Sequence, residues 1–449
     1  MASSASRLLQ QKFKVEYIKT KYFEKIAHRT TPGIDRINRA SFEKRFDEYV
    51  NVISNKTLNG TYKLIPYKEK LISKGSGKIP RQISIPTIRD KITLYLLNEI
   101  LSDIFENHVN KKIIQTMIYE LKQSISSKKF DYFIKIDIKE FFPSISHDYL
   151  MKLVRKRIRK KEILSLIEMS LKTPTISYPT KVQEPNSKGV PQGISIASIL
   201  ANIYISEIDN KYASESNEFK YFRYVDDILV LCKSTNYMTI KEDIIKLLKN
   251  LNLETSPTKN KTGPISEGFS YLGYHYKNLG HCYGFSVREE SIRKFEDSII
   301  KIFSEYKFNK QQDTEKFIWR LNKKITGCIF EKKKYGWIFF YSQIDDLKLL
   351  YHFDWFIEKL SDQIEVDSNV RKRIKRFVRS YHEIIYNLKG SKYIPNFDDY
   401  NINEQRSLLR EVFNIKGINN LTDLEVSKKF KKNVFRYIKE LEKDVQNFS

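Results

Sequence analysis

The sequence predicts an α+β fold, on three observations. The runs Tyr221-Phe222-Arg223-Tyr224 and Ile228-Leu229-Val230-Leu231 bracket Val225, Asp226 and Asp227. Two β-prone runs around a short acidic centre read as a hairpin that lifts both carboxylates to its tip. From Tyr132 to Ile138, the apolar Ile134, Ile136 and Ile138 alternate with Phe133, Lys135 and Asp137. A strand there buries one face and presents Asp137 on the other, at the strand end. From about residue 288 onward the pattern changes to long helical segments poor in Gly and Pro.

Each further element follows from its local pattern. Residues 1 to about 65 mix helical stretches, such as Phe42 to Val50, with the turn Pro32-Gly33. A Lys/Gly/Ser loop from Lys74 to Lys78 joins two short strands, and Ile88, Ile92, Leu96, Ile100 and Ile104 recur at helical spacing. His147 to Leu171 reads as one basic amphipathic helix carrying Arg155-Lys156-Arg157 and Arg159-Lys160-Lys161; that charge run suits a solvated face as well as an RNA contact. The later helices are expected over Ser291–Tyr306, Thr314–Ile325, Tyr341–Val366, Asn369–Leu388 and from Asn403 to the end.

A chain of 449 residues, 41% hydrophobic, buries a substantial core and divides into two or three domains. No apolar run approaches the ~20 residues of a membrane span, and the start Met1-Ala2-Ser3-Ser4 lacks a signal-peptide apolar region, so no membrane partner is expected. Cys232, Cys282 and Cys328 are scattered, without zinc or disulfide spacing, and fit a reducing cytoplasm. The 80 Lys+Arg against 54 Asp+Glu leave a net charge of +26. Such an excess suits a protein that tracks phosphodiester backbones, although charge alone does not distinguish it from other basic proteins.

The chemistry rests on the acids. Paired carboxylates repel one another and lose hydration when buried, and a hard divalent ion removes that cost. Three carboxylates on adjacent strands can hold two metal ions about 3.5–4 Å apart, the arrangement that activates a hydroxyl and stabilises a leaving pyrophosphate. The plain alternative is ordinary turn and strand-edge acids, since short motifs recur by chance.

The order of motifs resembles the reverse transcriptases. Between the acidic strands lie Gly189-Val190-Pro191-Gln192-Gly193 and Ser195-Ile196-Ala197-Ser198-Ile199-Leu200-Ala201-Asn202, similar to the family's Pro-Gln-Gly turn and following helix. Leu253 to Lys261 and Phe269 to Tyr274 resemble its later palm motifs. Lys74 to Arg81 and Ile85 to Asp90 resemble its fingers motifs, and Thr31-Pro32-Gly33-Ile34-Asp35 resembles the N-terminal extension of bacterial group II intron-like enzymes. The resemblance implies a right-hand polymerase fold with a helical extension: residues 1–70 as N-terminal extension and start of fingers, 71–287 as fingers and palm, 288–330 as thumb-like helices and 331–449 as the helical C-terminal region.

The same resemblance implies residue roles. Asp137, Asp226 and Asp227, with the Ile138 carbonyl, match the ligands of two Mg²⁺ ions, for which Mn²⁺ can substitute. Lys74 and Arg81 match the cations that grip the triphosphate, with the register of Arg81 open by about a residue because Pro80-Arg81 reverses the usual order. Gln192 and Tyr224 lie at nucleotide-binding positions. Phe142 stands where a bulky ring excludes a ribose 2′-hydroxyl, against the alternative of a core Phe beside Phe141. Lys259 resembles the Lys that protonates pyrophosphate, with Lys261 as the competing register. Tyr271, Leu272 and Gly273 resemble the primer-gripping turn.

Ala197-Ser198 stands where intron and retron enzymes usually have Ser-Pro, and the chain is most similar to stand-alone abortive-infection, anti-phage reverse transcriptases. The expected activity is RNA-directed DNA polymerisation. The implied partners are an RNA template, which in one version is a dedicated noncoding RNA, deoxynucleoside triphosphates and a DNA product, with a homo-oligomer or second protein component left open. The alternatives are a catalytically silent RNA-binding module of the same fold, or a retron or intron-type enzyme. Arg371 to Arg376 and Lys428 to Lys432 are candidate RNA-binding faces, although surface solvation explains each equally well.

Overall fold

The computed structural model of the protein describes residues 2–27, 30–73, 77, 79–108, 112–177, 184–213, 216–280, 282–308 and 313–445. It is an α+β chain, as expected, and divides into two compact units: residues 1–111 with 132–262, and residues 112–131 with 263–449. Compactness thus separates the chain after Thr262 and groups 112–131 with the C-terminal half, a different partition from the four functional stretches read from the sequence.

The first unit holds two sheets among its described residues. Strands β1 (Tyr67–Ile72) and β2 (Arg81–Ile85) form an antiparallel hairpin, and β4 (Thr175–Ile176) runs parallel to β1. The second sheet has the order β5-β6-β3-β7, from β3 (Tyr132–Asp137), β5 (Phe219–Tyr224), β6 (Asp227–Cys232) and β7 (Lys261–Pro264). Both β5 and β3 pair antiparallel to β6, which is buried along its whole length. The expected strand around Asp137 and the expected hairpin are therefore neighbours.

One continuous core supports these sheets. Ile134, Ile136, Ile228 and Val230 pack with Ile88, Ile92 and Leu96 of helix Ile88–Ile104 and with Ile199, Leu200 and Ile203 of helix Ala197–Tyr212. Asp90 is fully buried at the start of the former helix and is satisfied locally: it accepts from Thr87 Oγ1 at 2.8 Å, Tyr62 Oη at 2.8 Å and the Ile65 amide at 3.2 Å. The Ile85–Asp90 motif thus owes its pattern to a helix start whose polar atoms are paired.

The predicted helix over His147–Leu171 is two helices, His147–Arg155 and Lys161–Lys172. Ile158 sits fully buried between them while its basic neighbours stay at the surface. Crowded like charges favour a break, and the apolar spacing continues through it.

The second unit contains β8 (Phe269–Tyr271), β9 (Tyr274–Asn278) and β10 (Tyr283–Val287) as an antiparallel sheet, and the short hairpin of β11 (Cys328–Phe330) and β12 (Lys333–Tyr335). Its long helices are Glu289–Phe308, Thr314–Thr326, Leu347–Gln363, Phe377–Tyr386, Ile402–Glu411 and Asp423–Lys443. The expected helix from Tyr341 starts later because Asp345 and Asp346 turn back to β10, accepting from the Phe285 amide and the Ser286 hydroxyl. The expected Asn369–Leu388 helix breaks because Asn322 bonds the Arg373 carbonyl and the Lys375 amide, taking both out of helical pairing. The segment from Asn403 is likewise interrupted, with Asn414 and Gly417 at positive φ.

Candidate active site

The acidic site is built by register. Asp137 ends β3 directly opposite Asp227, the first residue of β6, and Tyr224 pairs with Asp227 from the other side. Val225 and Asp226 make the turn between β5 and β6. Val225 has φ +57°, a conformation that costs a β-branched residue about 1–2 kcal/mol. The Asp226 carbonyl accepts from the Ile138 amide at 3.0 Å, so the turn is tied to the residue following Asp137.

Asp137 and Asp227 are buried, 5% and 3% exposed, and Asp226 is half-buried. The sequence reading placed Asp137 on an open strand face; instead the segment 254–260 covers it. The Ser256 amide donates to the Asp137 carbonyl at 2.8 Å, the Asp137 amide donates to Asn260 Oδ1 at 3.0 Å, and Lys259 Nζ donates to Asp137 Oδ2 at 3.1 Å. Lys135 Nζ stands 3.5 Å from Asp227 Oδ2. Burial raises the Asp226 carboxyl above its ordinary range, with repulsion from Asp137 adding to it and Lys259 and Arg81 opposing it. Burial pushes Asp227 up to about 6, partly offset by Lys135 and reinforced by Asp226 and Asp137.

In this arrangement no three His, Cys, Asp or Glu side chains among the described residues converge as a metal cage. The donor set nevertheless suits a hard divalent ion: it is made of carboxylate oxygens, and Asp227 Oδ1 is buried without a hydrogen-bond partner. A buried, unpaired carboxylate oxygen is costly unless a cation meets it.

Around the acids, the Gly189–Gly193 segment is wedged between two structures. The Gly189 carbonyl meets His147 Nε2 at 2.7 Å, the Val190 amide donates to the Phe142 carbonyl at 2.9 Å, and the Gln192 carbonyl accepts from the Ser84 amide of β2. Gly193 has φ +100°, and a Cβ there would lie 2.7 Å from Ile83 Cγ2, so only glycine fits. Gln192 is thereby fixed beside the strand that begins with exposed Arg81. Phe142 is half-buried against the core, its ring 5.7 Å from that of Phe141. Tyr224 is half-buried in the hairpin. Lys74 lies outside the described residues.

Tyr271, Leu272 and Gly273 belong to the second unit, where Leu272 (φ +48°) and Gly273 (φ +88°) form the two-residue turn between β8 and β9. Both central residues at positive φ match the twist of a tight hairpin. Of the two basic runs, the first is largely absorbed by structure. Arg371 pairs with Asp362 and bonds the Ser361 and Val366 carbonyls, Arg373 is bidentate to Glu315 at 2.6 Å, and Lys375 bonds the Tyr393 carbonyl. Lys428, Lys429, Lys431 and Lys432 are all exposed on one helix.

Sequence reasoning passed over Arg223, Asn202, Asp209, Lys135 and Asn260. Arg223 donates to the Val225 carbonyl at 2.9 Å, to Asp209 Oδ1 at 2.7 Å and to Asn202 Oδ1 at 3.2 Å. The available signal was Asn202 and Asp209 seven residues apart on one helix face, with a lone Arg beside an acidic turn.

Comparison with known proteins fixes the class. Residues 72–276 match the family model described as reverse transcriptase (RNA-dependent DNA polymerase). This stretch, just under half of the chain, resembles a reverse-transcriptase domain, and the comparisons support RNA-directed DNA polymerase as the enzyme class. It is 24% identical over 322 residues to Protein YkfC of Escherichia coli K12, covering 61% of this chain and 84% of that one. It is 28% identical over 172 residues to the group II intron-encoded protein LtrA of Lactococcus lactis, covering 36% of this chain and 28% of that one. The Retron Ec73 reverse transcriptase of Escherichia coli is 28% identical over 207 residues, covering 43% and 60%. The chain thus spans most of YkfC but under a third of the intron protein.

Proposed function

We propose that this protein copies RNA into DNA at the Asp137, Asp226 and Asp227 site. The single observation that supports this most is the direct pairing of Asp137 with Asp227 beside a turn that presents Asp226, inside the matched domain. The three carboxylates and the Ile138 carbonyl would hold Mg²⁺ or Mn²⁺, which when bound would supply charge neutralisation at the primer hydroxyl and the leaving pyrophosphate. Arg81 and Lys74 bind the triphosphate, and Gln192 and Tyr224 flank the incoming nucleotide. Phe142 walls off the 2′ position. Lys259, which donates to Asp137, gives a proton to the leaving group. Tyr271, Leu272 and Gly273 steady the primer.

The finer part of the proposal is a role in anti-phage defence with a noncoding RNA, in the cytoplasm. Its support is the resemblance to stand-alone abortive-infection enzymes. Among the described residues no helix is long and apolar enough to cross a membrane. Primer-extension on an RNA template with purified protein, together with sequencing of copurifying nucleic acid, tests both parts. Absence of templated deoxynucleotide incorporation would overturn the first, and random copurifying RNA the second.

A further inference from the structure

The turn that carries Asp226 is strained, yet nothing within the turn itself relieves it. Val225 is β-branched and left-handed, a combination that persists only where the surroundings impose it. Two contacts hold the turn from outside: the Ile138 amide on the Asp226 carbonyl, and one side chain, Arg223. Arg223 folds back over the turn and donates from Nη1 to the Val225 carbonyl at 2.9 Å. The rest of its guanidinium is fully used: Nε and Nη2 form a fork on the two oxygens of Asp209, and Nη2 also meets Asn202 Oδ1 at 3.2 Å. The Arg223 side chain is only 6% exposed. Tyr221 Oη adds a bond to Asp209 Oδ1 at 3.0 Å.

We infer that Arg223, clamped by Asp209 and Asn202, is a positioning residue that fixes the Val225 peptide and so sets the direction of Asp226 and Asp227. The inference rests on the polymerase reading for its consequence and on geometry for its cause. Asn202 and Asp209 lie two turns apart on helix Ala197–Tyr212, whose inner face is buried, so the clamp is anchored to a rigid element. The planar fork matches a carboxylate on one edge while leaving a donor for the turn, which an ammonium cannot do. The next carbonyl, that of Asp226, is pinned by Ile138. Two successive peptides of the turn are thus held, one to the helix and one to the strand of Asp137. Residues that orient metal ligands without touching the metal commonly change affinity or rate by about 10- to 100-fold when replaced.

The test uses the full chain and four proteins: wild type, Arg223→Lys, Asn202→Ala and Arg223→Lys with Val225→Gly. Three properties are read: hydrogen exchange of the 219–232 hairpin without metal, Mn²⁺ affinity by electron paramagnetic resonance, and templated incorporation. Arg223→Lys is expected to speed exchange in the hairpin alone and to weaken both Mn²⁺ binding and incorporation about 10- to 100-fold. Glycine accepts positive φ freely, so Val225→Gly in that background should return most of the loss. If Arg223→Lys fails to fold, Asn202→Ala decides by the same readings, with a smaller loss expected. Wild-type exchange and Mn²⁺ affinity in the single variants, or no recovery with Val225→Gly, overturn the inference. A wild type that binds Mn²⁺ but incorporates nothing overturns the polymerase reading and leaves exchange and Mn²⁺ binding to judge the positioning role.

Discussion

Asp137 and Asp227 are direct partners across β3 and β6, and each carboxylate already faces a lysine, Lys259 at 3.1 Å and Lys135 at 3.5 Å. The two ammonium groups partly neutralise a buried pair that would otherwise repel. Any divalent ion entering the site meets carboxylates already shared with these lysines.

Asp137→Ala, and Asp226→Ala combined with Asp227→Ala, should each lower Mg²⁺-dependent deoxynucleotide incorporation by about 10³-fold or more, the scale of losing a main stabiliser of transition-state charge. Primer extension with circular dichroism as the folding control measures it. Unchanged synthesis in folded variants would remove these acids from the mechanism.

Phe142→Ala should admit ribonucleotides while the fold stands. The ring is half-buried, so its loss opens a wall and costs less packing than a fully buried Phe. Competition between matched ribo- and deoxynucleotides gives the ratio. A ratio equal to wild type assigns the ring to packing alone.

The exposed lysines of helix Asp423–Lys443 can be tested without deleting it. Truncation near residue 330 would strip Trp319, Cys328 and Phe330 of the core they share with Val426, Phe430 and Val434. Replacing Lys428, Lys429, Lys431 and Lys432 by Gln keeps that core. If the helix holds RNA, the slope of log affinity against log salt should fall by about 3, at roughly 0.7 per lost contact to a single strand. An equal slope would show a merely solvated face.

Lys323 gives the second unit a pH dependence. It is buried between the rings of Trp319 and Phe397, with Cys328 and Lys375 as its charged or titratable neighbours. Burial lowers its ammonium from 10.5 to about 7. Between those values the unfolded chain binds a proton that the folded chain does not, so stability rises with pH, by at most about 1.4 kcal/mol per unit. Lys323→Met should remove this rise. Urea unfolding of both proteins from pH 7 to 10 measures the difference, and parallel curves would mean that Lys323 stays charged.

Much of the site was legible because strands advertise themselves locally. Alternation around Asp137 and the β-prone runs around Asp226 specified three strands and a turn, and acids are conspicuous in such surroundings. What escaped was contact at a distance in sequence. Arg223 reaches helix residues 14 and 21 positions back, and a helical pattern shows which face is polar without showing what meets it. Helix breaks escaped for the same reason: Asn322 interrupts a helix 51 to 53 residues later. The division into compact units was also invisible, since residues 112–131 carry no signal of where they pack.

The placement of residues 112–131 orders events at the ribosome. The chain leaves the first unit at 111, returns at 132 and leaves for good at 262. During synthesis the first unit can close around its sheet as soon as Thr262 emerges. Helix Ile114–Ser126, with Ile114, Met117, Ile118 and Leu121 on its apolar side, is by then already made and has no finished partner until the C-terminal half is translated. An apolar stripe therefore stays without its finished partner for the span of nearly half a protein.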